Sequence, residues 1–278
     1  MTRKIEIFNK NNTLKKHFFH LEEHIYLSIF QNEAILLNIK KNTYQILQKE
    51  ISETLCCLIE NAFYRKGASY EIATPLKLPF QKKEFNQFIS QLIKENIIKD
   101  EAYNFPYPFK IEKRIHSSGI YCPTWRLSIG KTFGASCVKM ILESLIILSK
   151  VHFYSKIRKF YGLVMSLKIH KQKYERVFLY PSVYPSSDNI KILINSLNKA
   201  CLIYPKETKC LEWSTALVLM ALKRGWKFNL CVGVQNYPFI AHAWVEHCGK
   251  ILSDTSDFPE DFSPILKEPF RDKKETLI

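Results

Sequence analysis

The chain has 278 residues, of which 46% are hydrophobic and 24% are charged. This composition is typical of a folded protein with a sizeable core, and it excludes a largely disordered chain. The formal net charge is +15 at pH 7, and residues 101–180 carry most of the excess, with 14 basic and 4 acidic side chains. That segment has no zinc-finger, RNP or helix-turn-helix signature. We therefore expect a solvated basic helix face, with a docking surface for an acidic partner or a membrane as the alternative, and no nucleic-acid partner.

The eight cysteines lie without the C-x-x-C spacing of metal sites, and we interpret them as reduced thiols. The eight glycines form no phosphate-binding loop, so neither a metal nor another cofactor is expected. The N-terminus lacks the apolar core of a signal peptide, and charges interrupt the most apolar run, residues 138–154. These features predict a cytoplasmic protein without a transmembrane segment.

The first third of the chain predicts a small β-meander followed by helices. Residues 25–30, 33–39 and 43–47 have strand composition and are separated by turn residues. Residues 50–63 and 83–96 place their apolar side chains on one helical stripe. We interpret residues 24–101 as a winged-helix-like domain and residues 1–23 as an N-terminal extension.

Residues 102–125 contain three prolines and predict a linker. Beyond it, three helices are predicted, at residues 136–168, 188–203 and 208–223. The expected N-cap of the second is Ser187 or Asp188, and that of the third is Thr208. Strands are predicted at 227–234, 240–247 and 250–254. Helices followed by an antiparallel hairpin indicate a second α+β domain over residues 126–278, so the fold class of the whole chain is α+β.

Cys210 falls in the first turn of the predicted 208–223 helix. There the free backbone N–H groups and the helix dipole favour the thiolate, which is the nucleophilic form of cysteine. A buried cysteine that only fills space is the alternative interpretation. The backbone N–H of Cys210 could also serve as an oxyanion donor.

His242 lies in the middle of an apolar strand. The period of two places Ala241, Ala243 and Val245 on one face and His242 with Trp244 on the other. Asp254 follows on the next strand, and its position depends on the turn at Cys248-Gly249.

A two-residue loop pairs residue 243 with 254, whereas a three-residue loop pairs 242 with 254 and Glu246 with Lys250. We prefer the three-residue loop, because it joins opposite charges and makes Asp254 the cross-strand neighbour of His242. Cys210 as nucleophile, His242 as base and then acid, and Asp254 as orienter then form a nucleophilic acyl-transfer site. Asp257 is a weaker candidate for the orienter. Trp244 could line the cleft, whereas Trp213 and Glu212 have no clear role in it.

The block 209-KCLEWSTALVLMALKRGWKFNLCVGVQNYPFIAHAWVEHCGKILSD-254 resembles the C-terminal domain of lasso-peptide B proteins. The resemblance implies a transglutaminase-like, papain-like cysteine peptidase with Cys210, His242 and Asp254 as its triad. It also implies removal of the leader from a ribosomally made precursor peptide, after which a separate ATP-dependent, asparagine-synthetase-like cyclase closes the lasso ring.

Residues 24–101 are more loosely similar to the PqqD-like domains that recognise leader peptides. By that resemblance the leader adds as a further strand to the edge of residues 43–47, with the 83–96 helix lining the groove. Two alternatives remain open: an acyltransferase in which an amine resolves the thioester, and a catalytically silent scaffold that delivers the precursor to the cyclase.

Overall fold

The computed structural model describes residues 16–66, 69–72, 82–101, 113–114, 134–174, 184–252 and 262–270. Within these ranges the protein is a mixed α+β structure with five helices and small, mainly antiparallel sheets. The predicted fold class is confirmed. The described residues divide into two compact units. The smaller unit contains those within 16–23 and 48–101, and the larger one contains residues 24–47 and the described residues within 113–270.

The smaller unit contains a four-stranded sheet in the order β6-β5-β1-β7 and two helices. Its elements are β1 (Lys16–Leu21), α1 (Lys49–Glu60), β5 (Ala62–Lys66), β6 (Ser69–Ile72), α2 (Lys82–Lys94) and β7 (Ile98–Glu101). Phe19 and Phe63 are fully buried and contact each other edge to face, with a centroid distance of 5.3 Å. Phe85 of α2 stacks on Phe63, so the apolar stripe of α2 packs against the sheet, as amphipathic periodicity predicts.

The N-terminal β-meander consists of β2 (Ile25–Phe30), β3 (Glu33–Asn38) and β4 (Thr43–Leu47). The strand order is β4-β3-β2-β8, and the two-residue strand β8 (Lys113–Arg114) pairs in parallel with β2. The three predicted strands are confirmed. The division into units nevertheless differs from the predicted 24–101 domain, because the meander belongs to the larger unit and α1 and α2 belong to the smaller one.

The meander belongs with the C-terminal strands because side-chain hydrogen bonds connect β2 to β12 (Ser263–Glu268), a strand of another sheet. Sequence analysis did not predict β12. The Ser28 hydroxyl lies 2.6 Å from the Ser263 hydroxyl, and the Tyr26 hydroxyl donates to Glu268 Oε1 at 2.9 Å. These buried contacts join residues more than 230 positions apart in sequence. Hydrogen bonds between such distant residues have no local sequence signal, which is why the predicted boundary differs from the observed one.

The second sheet of the larger unit has the order β11-β10-β9-β12. Its strands β9 (Phe228–Gln235), β10 (Ile240–His247) and β11 (Lys250–Ile251) follow directly on three helices, α3 (Val138–Lys173), α4 (Ser187–Ile203) and α5 (Cys210–Leu222). Helix α5 is buried along nearly its whole length and packs between α3 and the sheet. One face of β9 contributes the predicted residues Phe228, Leu230, Val232 and Val234 to this core.

Two helix starts differ from the predictions. Helix α4 is capped by Ser186, whose hydroxyl accepts from the backbone N–H of Asn189, and not by Ser187 or Asp188. Helix α5 has Lys209 as its N-cap without a side-chain cap bond. Thr208 is not the cap, because its hydroxyl lies beside the Cys201 thiol. Among the described helices, none is long and apolar enough to cross a membrane.

Candidate active site

Cys210 is the first residue of α5, so its sulfur lies at the positive end of the helix dipole. The Lys209 carbonyl already accepts from the Trp213 N–H, which closes the first turn. The N–H groups of the first helical residues have no partner within the helix. This start of α5 therefore provides backbone donors next to a half-buried thiol, as the sequence predicts for the nucleophile.

Tyr44 of β4 lies beside Cys210, although the two residues are far apart in sequence. Burial and, to a smaller extent, the nearby charge of a Cys210 thiolate raise the pKa of the Tyr44 phenol to about 12. Tyr44 is therefore a neutral hydroxyl at physiological pH. Its ring also contacts Phe239, with a centroid distance of 5.0 Å. Tyr44 thus connects the start of α5 with the turn that precedes β10.

The face of α5 that carries Cys210 contacts β10. Ser214 lies four residues after Cys210, hence on the same side of the helix. The Ser214 hydroxyl donates to the Ala243 carbonyl at 3.3 Å. His242 immediately precedes this contact point, but alternation along the strand turns its side chain to the face of β10 that does not pack on α5. The contact therefore brings the two elements together, but not the sulfur and the imidazole.

The His242 ring is buried on the other face of β10. It stacks on Trp244 with a centroid distance of 6.5 Å and lies 6.2 Å from the Phe262 ring. Trp244 and Phe262 form a small cluster with Cys231, whereas Ala243 and Val245 belong to the main core with α5. The predicted alternation of β10 is therefore confirmed, and His242 and Trp244 share a face.

The predicted three-residue loop after β10 is wrong. The structure pairs His247 with Lys250 and Glu246 with Ile251, so Cys248 and Gly249 form a two-residue turn. Both turn residues have positive φ, 49° and 73°, as a type I′ hairpin turn requires. Asp254 and its alternative Asp257 lie outside the described residues.

Glu246 explains why the preferred register failed. The prediction paired it with Lys250, but its carboxylate instead accepts from Trp244 Nε1 at 2.9 Å and lies 3.4 Å from Lys267 Nζ of β12. The Glu246 carboxylate therefore has its cationic partner on β12, two strands away from β10 in the sheet, and not within the hairpin. Trp244 is correspondingly a core residue, and Trp213 is another, since its Nε1 donates to Asn198 Oδ1 at 2.8 Å.

A second polar cluster surrounds Glu212 in the first turn of α5, and sequence analysis assigned it no role. Glu212 Oε1 accepts from the Ser155 hydroxyl of α3 at 3.1 Å. His152, one turn earlier on α3, stacks on Tyr204 with a centroid distance of 4.9 Å. Burial lowers the pKa of His152. The charge of the Glu212 carboxylate acts to raise this pKa, and the charge of Lys206 acts to lower it further. The i, i+3 spacing of His152 and Ser155 was the sequence signal for a polar patch on α3.

Protein stability should fall in mild acid because of His152. Its pKa is lowered in the folded state, so the unfolded chain binds the proton first as the pH falls, and unfolding becomes easier below about 6.5, the ordinary histidine value. We expect His152→Gln to reduce the loss of unfolding free energy between neutral and mildly acidic pH, as measured by denaturant titration at both pH values. An unchanged pH dependence in this variant would contradict the assignment.

Tyr44→Phe should make Cys210 less reactive without unfolding the site. The variant keeps the ring contact with Phe239 and removes only the neutral hydroxyl, which lies close enough to interact electrostatically with a Cys210 thiolate. Trypsin releases residues 210–223 as a peptide with Cys210 as its single cysteine, so mass spectrometry can follow alkylation of this thiol alone. We expect alkylation slower by about threefold to tenfold, within the effect of one hydrogen bond to a charged group. Tyr64→Phe is the matched control, and equal rates in all three proteins would refute the role of Tyr44.

Within the described residues, no group of three or more histidine, cysteine, aspartate and glutamate side chains is placed to hold a metal ion. The seven described cysteines are free thiols.

Residues 179–267 match the family model of the Transglutaminase-like superfamily. This segment contains α4, α5 and all but the last residue of the β9–β12 sheet, together with Cys210 and His242. No curated protein and no solved structure matches the chain. The C-terminal part of the protein is thus similar to transglutaminase-like domains, and this similarity supports an activity of the cysteine-protease or acyltransferase type.

Proposed function

We propose that the protein is a cysteine peptidase that removes the leader from a ribosomally made precursor peptide in lasso-peptide biosynthesis. The observation that carries this proposal is the position of Cys210 at the start of a buried helix in a transglutaminase-like domain. A structural cysteine has no need of a helix N-terminus, whereas a nucleophile gains from it. In this proposal His242 is the base and then the acid, and Asp254 orients it. The role of Asp254 rests on the resemblance to lasso-peptide B proteins alone, because the observed two-residue turn does not make it the cross-strand neighbour of His242.

The proposed reaction proceeds through a thioester. His242 takes the Cys210 proton while the sulfur attacks the scissile carbonyl carbon, and the backbone N–H of Cys210 donates to the resulting oxyanion. Collapse of this intermediate breaks the C–N bond, and His242 returns the proton to the leaving amine of the core peptide. Water then attacks the thioester with help from His242, and the leader leaves with a new carboxylate.

The sulfur and the imidazole have to meet at the end of β10 that begins after Phe239. One contact supports this meeting point. Tyr44 contacts Phe239 while lying beside Cys210, which brings the start of the His242 strand and the start of α5 to the same tyrosine. The bond between Ser214 and the Ala243 carbonyl packs α5 on the face of β10 opposite the His242 ring, so it positions the two elements but not the imidazole.

Leader recognition is proposed at the edge of β4. Among the described strands β4 pairs only with β3, and it ends the sheet order β4-β3-β2-β8. Thr43, Gln45 and Ile46 are exposed along it. An extended peptide can add to such an edge through backbone hydrogen bonds. Because Tyr44 lies within the same strand, a leader bound there would run close to Cys210.

The PqqD-like role proposed for the N-terminal part rests on β4 alone. The predicted 83–96 helix, which was expected to line the groove, is α2 and belongs to the smaller unit, whereas β4 belongs to the larger one. The further proposed partner is the ATP-dependent, asparagine-synthetase-like cyclase. It would take the amine that cleavage frees and join it to an acidic side chain of the core peptide.

The decisive experiment incubates the full chain with a candidate precursor peptide, in water labelled with heavy oxygen and in the presence of an added primary amine. We expect a free core peptide and a leader that has gained one labelled oxygen atom. A leader that carries the amine would instead establish an acyltransferase, the second activity that the Transglutaminase-like superfamily match supports. Uncut precursor bound to a folded protein would favour the scaffold alternative.

A further inference from the structure

Helix α3 carries an unusual row of exposed apolar side chains on its outer face. Each is between 58% and 72% exposed, and we call the set the apolar stripe: Val138, Leu142, Ile146, Phe153 and Ile157. At about 100° per residue these positions fall within roughly one third of the helix circumference. The stripe spans 20 residues, about 30 Å of helix. It ends just before Lys159, whose φ of 51° interrupts the helix.

Lysines border the stripe on both sides. The same angular arithmetic places Lys139 and Lys150 along one edge and Lys156 along the other, and all three are exposed. We call these three residues the lysine rim. Helix α3 contains eight lysines and arginines against a single acidic residue, Glu143.

Glu143 does not reduce the positive charge of this face. Its carboxylate is half-buried and bonds to Lys223 Nζ at 3.1 Å and Arg224 at 2.6 Å, both at the end of α5. These two cations hold the pKa of Glu143 below its usual range despite its burial. The outer face of α3 therefore combines apolar surface with uncompensated positive charge.

The exposed apolar surface continues onto the end of α4. Leu202 and Ile203 are 56% and 65% exposed. They immediately precede Tyr204, whose ring stacks on His152 of α3. The surface thus spans two packed helices and is broader than a single ridge.

We propose that the apolar stripe and the lysine rim dock the protein onto the surface of an anionic lipid bilayer. Apolar side chains at this spacing enter the boundary between headgroups and acyl chains, while the flanking lysines bind lipid phosphates. A second copy of the chain fits poorly, because symmetric contact would bring the two lysine rims together. A protein partner fits less well than lipid, because it would need hydrogen-bonding groups across the interface, and within the stripe only Ser149 offers a hydroxyl.

The test uses the full chain in flotation with vesicles of phosphatidylcholine alone, and with vesicles containing about one third phosphatidylglycerol, at low and high salt. The wild-type protein should float with the anionic vesicles alone, and high salt should weaken this binding. Phe153→Gln combined with Ile157→Gln should reduce binding at least about tenfold. Lys139→Gln, Lys150→Gln and Lys156→Gln combined should do the same and remove most of the salt dependence.

Two matched variants control for general effects. Lys49→Gln, Lys83→Gln and Lys94→Gln combined make the same change in net charge at exposed positions of the smaller unit. Ile169→Gln removes an exposed apolar side chain of α3 beyond the kink. Both controls should bind within about twofold of wild type, and thermal melting should show that all variants are folded.

Three outcomes would overturn the proposal. One is a folded wild-type protein that binds neither kind of vesicle. Another is unchanged vesicle binding in both test variants, the double variant of the apolar stripe and the triple variant of the lysine rim. The third is stripe-dependent binding to a different occupant, shown either by self-association in sedimentation or by binding to soluble polyglutamate without binding to vesicles. That result would assign the surface to a second copy or to an acidic protein.

Discussion

Cys210→Ala is expected to lower the rate of precursor cleavage by at least about 10³-fold while leaving the fold intact, because loss of a nucleophile removes the covalent route entirely. Cys210 is half-buried at a helix start, and the alanine side chain fits there without strain. Single-turnover cleavage followed by mass spectrometry measures the loss, and circular dichroism checks the fold.

Cys248→Ala is the matched control for this prediction. Cys248 is an exposed thiol in the β10–β11 turn, and its removal should leave the cleavage rate within about twofold. If Cys210→Ala still delivers a processed peptide to the cyclase, the chain acts as a scaffold and the peptidase assignment is wrong. If Cys248→Ala is the inactive variant, the nucleophile is misplaced.

Trp244→Ala should have the largest effect on stability, about 3–5 kcal/mol, because it empties a fully buried aromatic site. The indole packs with Phe262 and Cys231, and it lies so close to Gly233 that a Cβ there would be 2.8 Å from the ring. His242 stacks on the same indole. The variant should therefore also lower the cleavage rate at temperatures where it remains folded, since the imidazole loses a neighbour that fixes its orientation.

Trp226→Ala separates the two effects. Trp226 is also buried in the larger unit, but its ring contacts Phe228 at the start of β9, away from His242. We expect this control to be destabilised as well, by thermal and denaturant unfolding, and yet to cleave at nearly the wild-type rate in the cold. Equal cleavage rates in the two variants would show that the contact between Trp244 and His242 has no role in catalysis.

Most elements of the larger unit follow from local patterns. The period of two in 240–247 and 227–234 predicted β10 and β9 and their faces, and the helical period predicted α4 and α5 with Cys210 in the first turn. These predictions depend on side chains within one element that face a common core. Such patterns are present in the sequence because each face must match its own environment.

The hairpin register and the helix caps were harder to predict. Both depend on small differences in free energy between local alternatives, and long-range partners decide them. Glu246 bonds to Lys267 rather than Lys250, and this partner on another strand leaves no trace in the local pattern. Helix α5 begins after Lys209 without a side-chain cap bond, so Thr208 does not cap it.

By itself, the sequence determined the five helices, the three strands of the meander, the strands β9 to β11, and the position of Cys210, the proposed nucleophile, at a helix start. It did not reveal β12 or the strands of the smaller unit, including β1 in the predicted N-terminal extension and β5 at the end of the predicted 50–63 helix. Only the tertiary structure decided that the N-terminal meander joins the C-terminal sheet through β12, and that Tyr44 therefore lies beside Cys210. The physical reason is that periodicity records which side of an element is buried, not which distant element buries it. The pattern of β4 therefore could not show that its Tyr44 lies beside Cys210 in the folded protein.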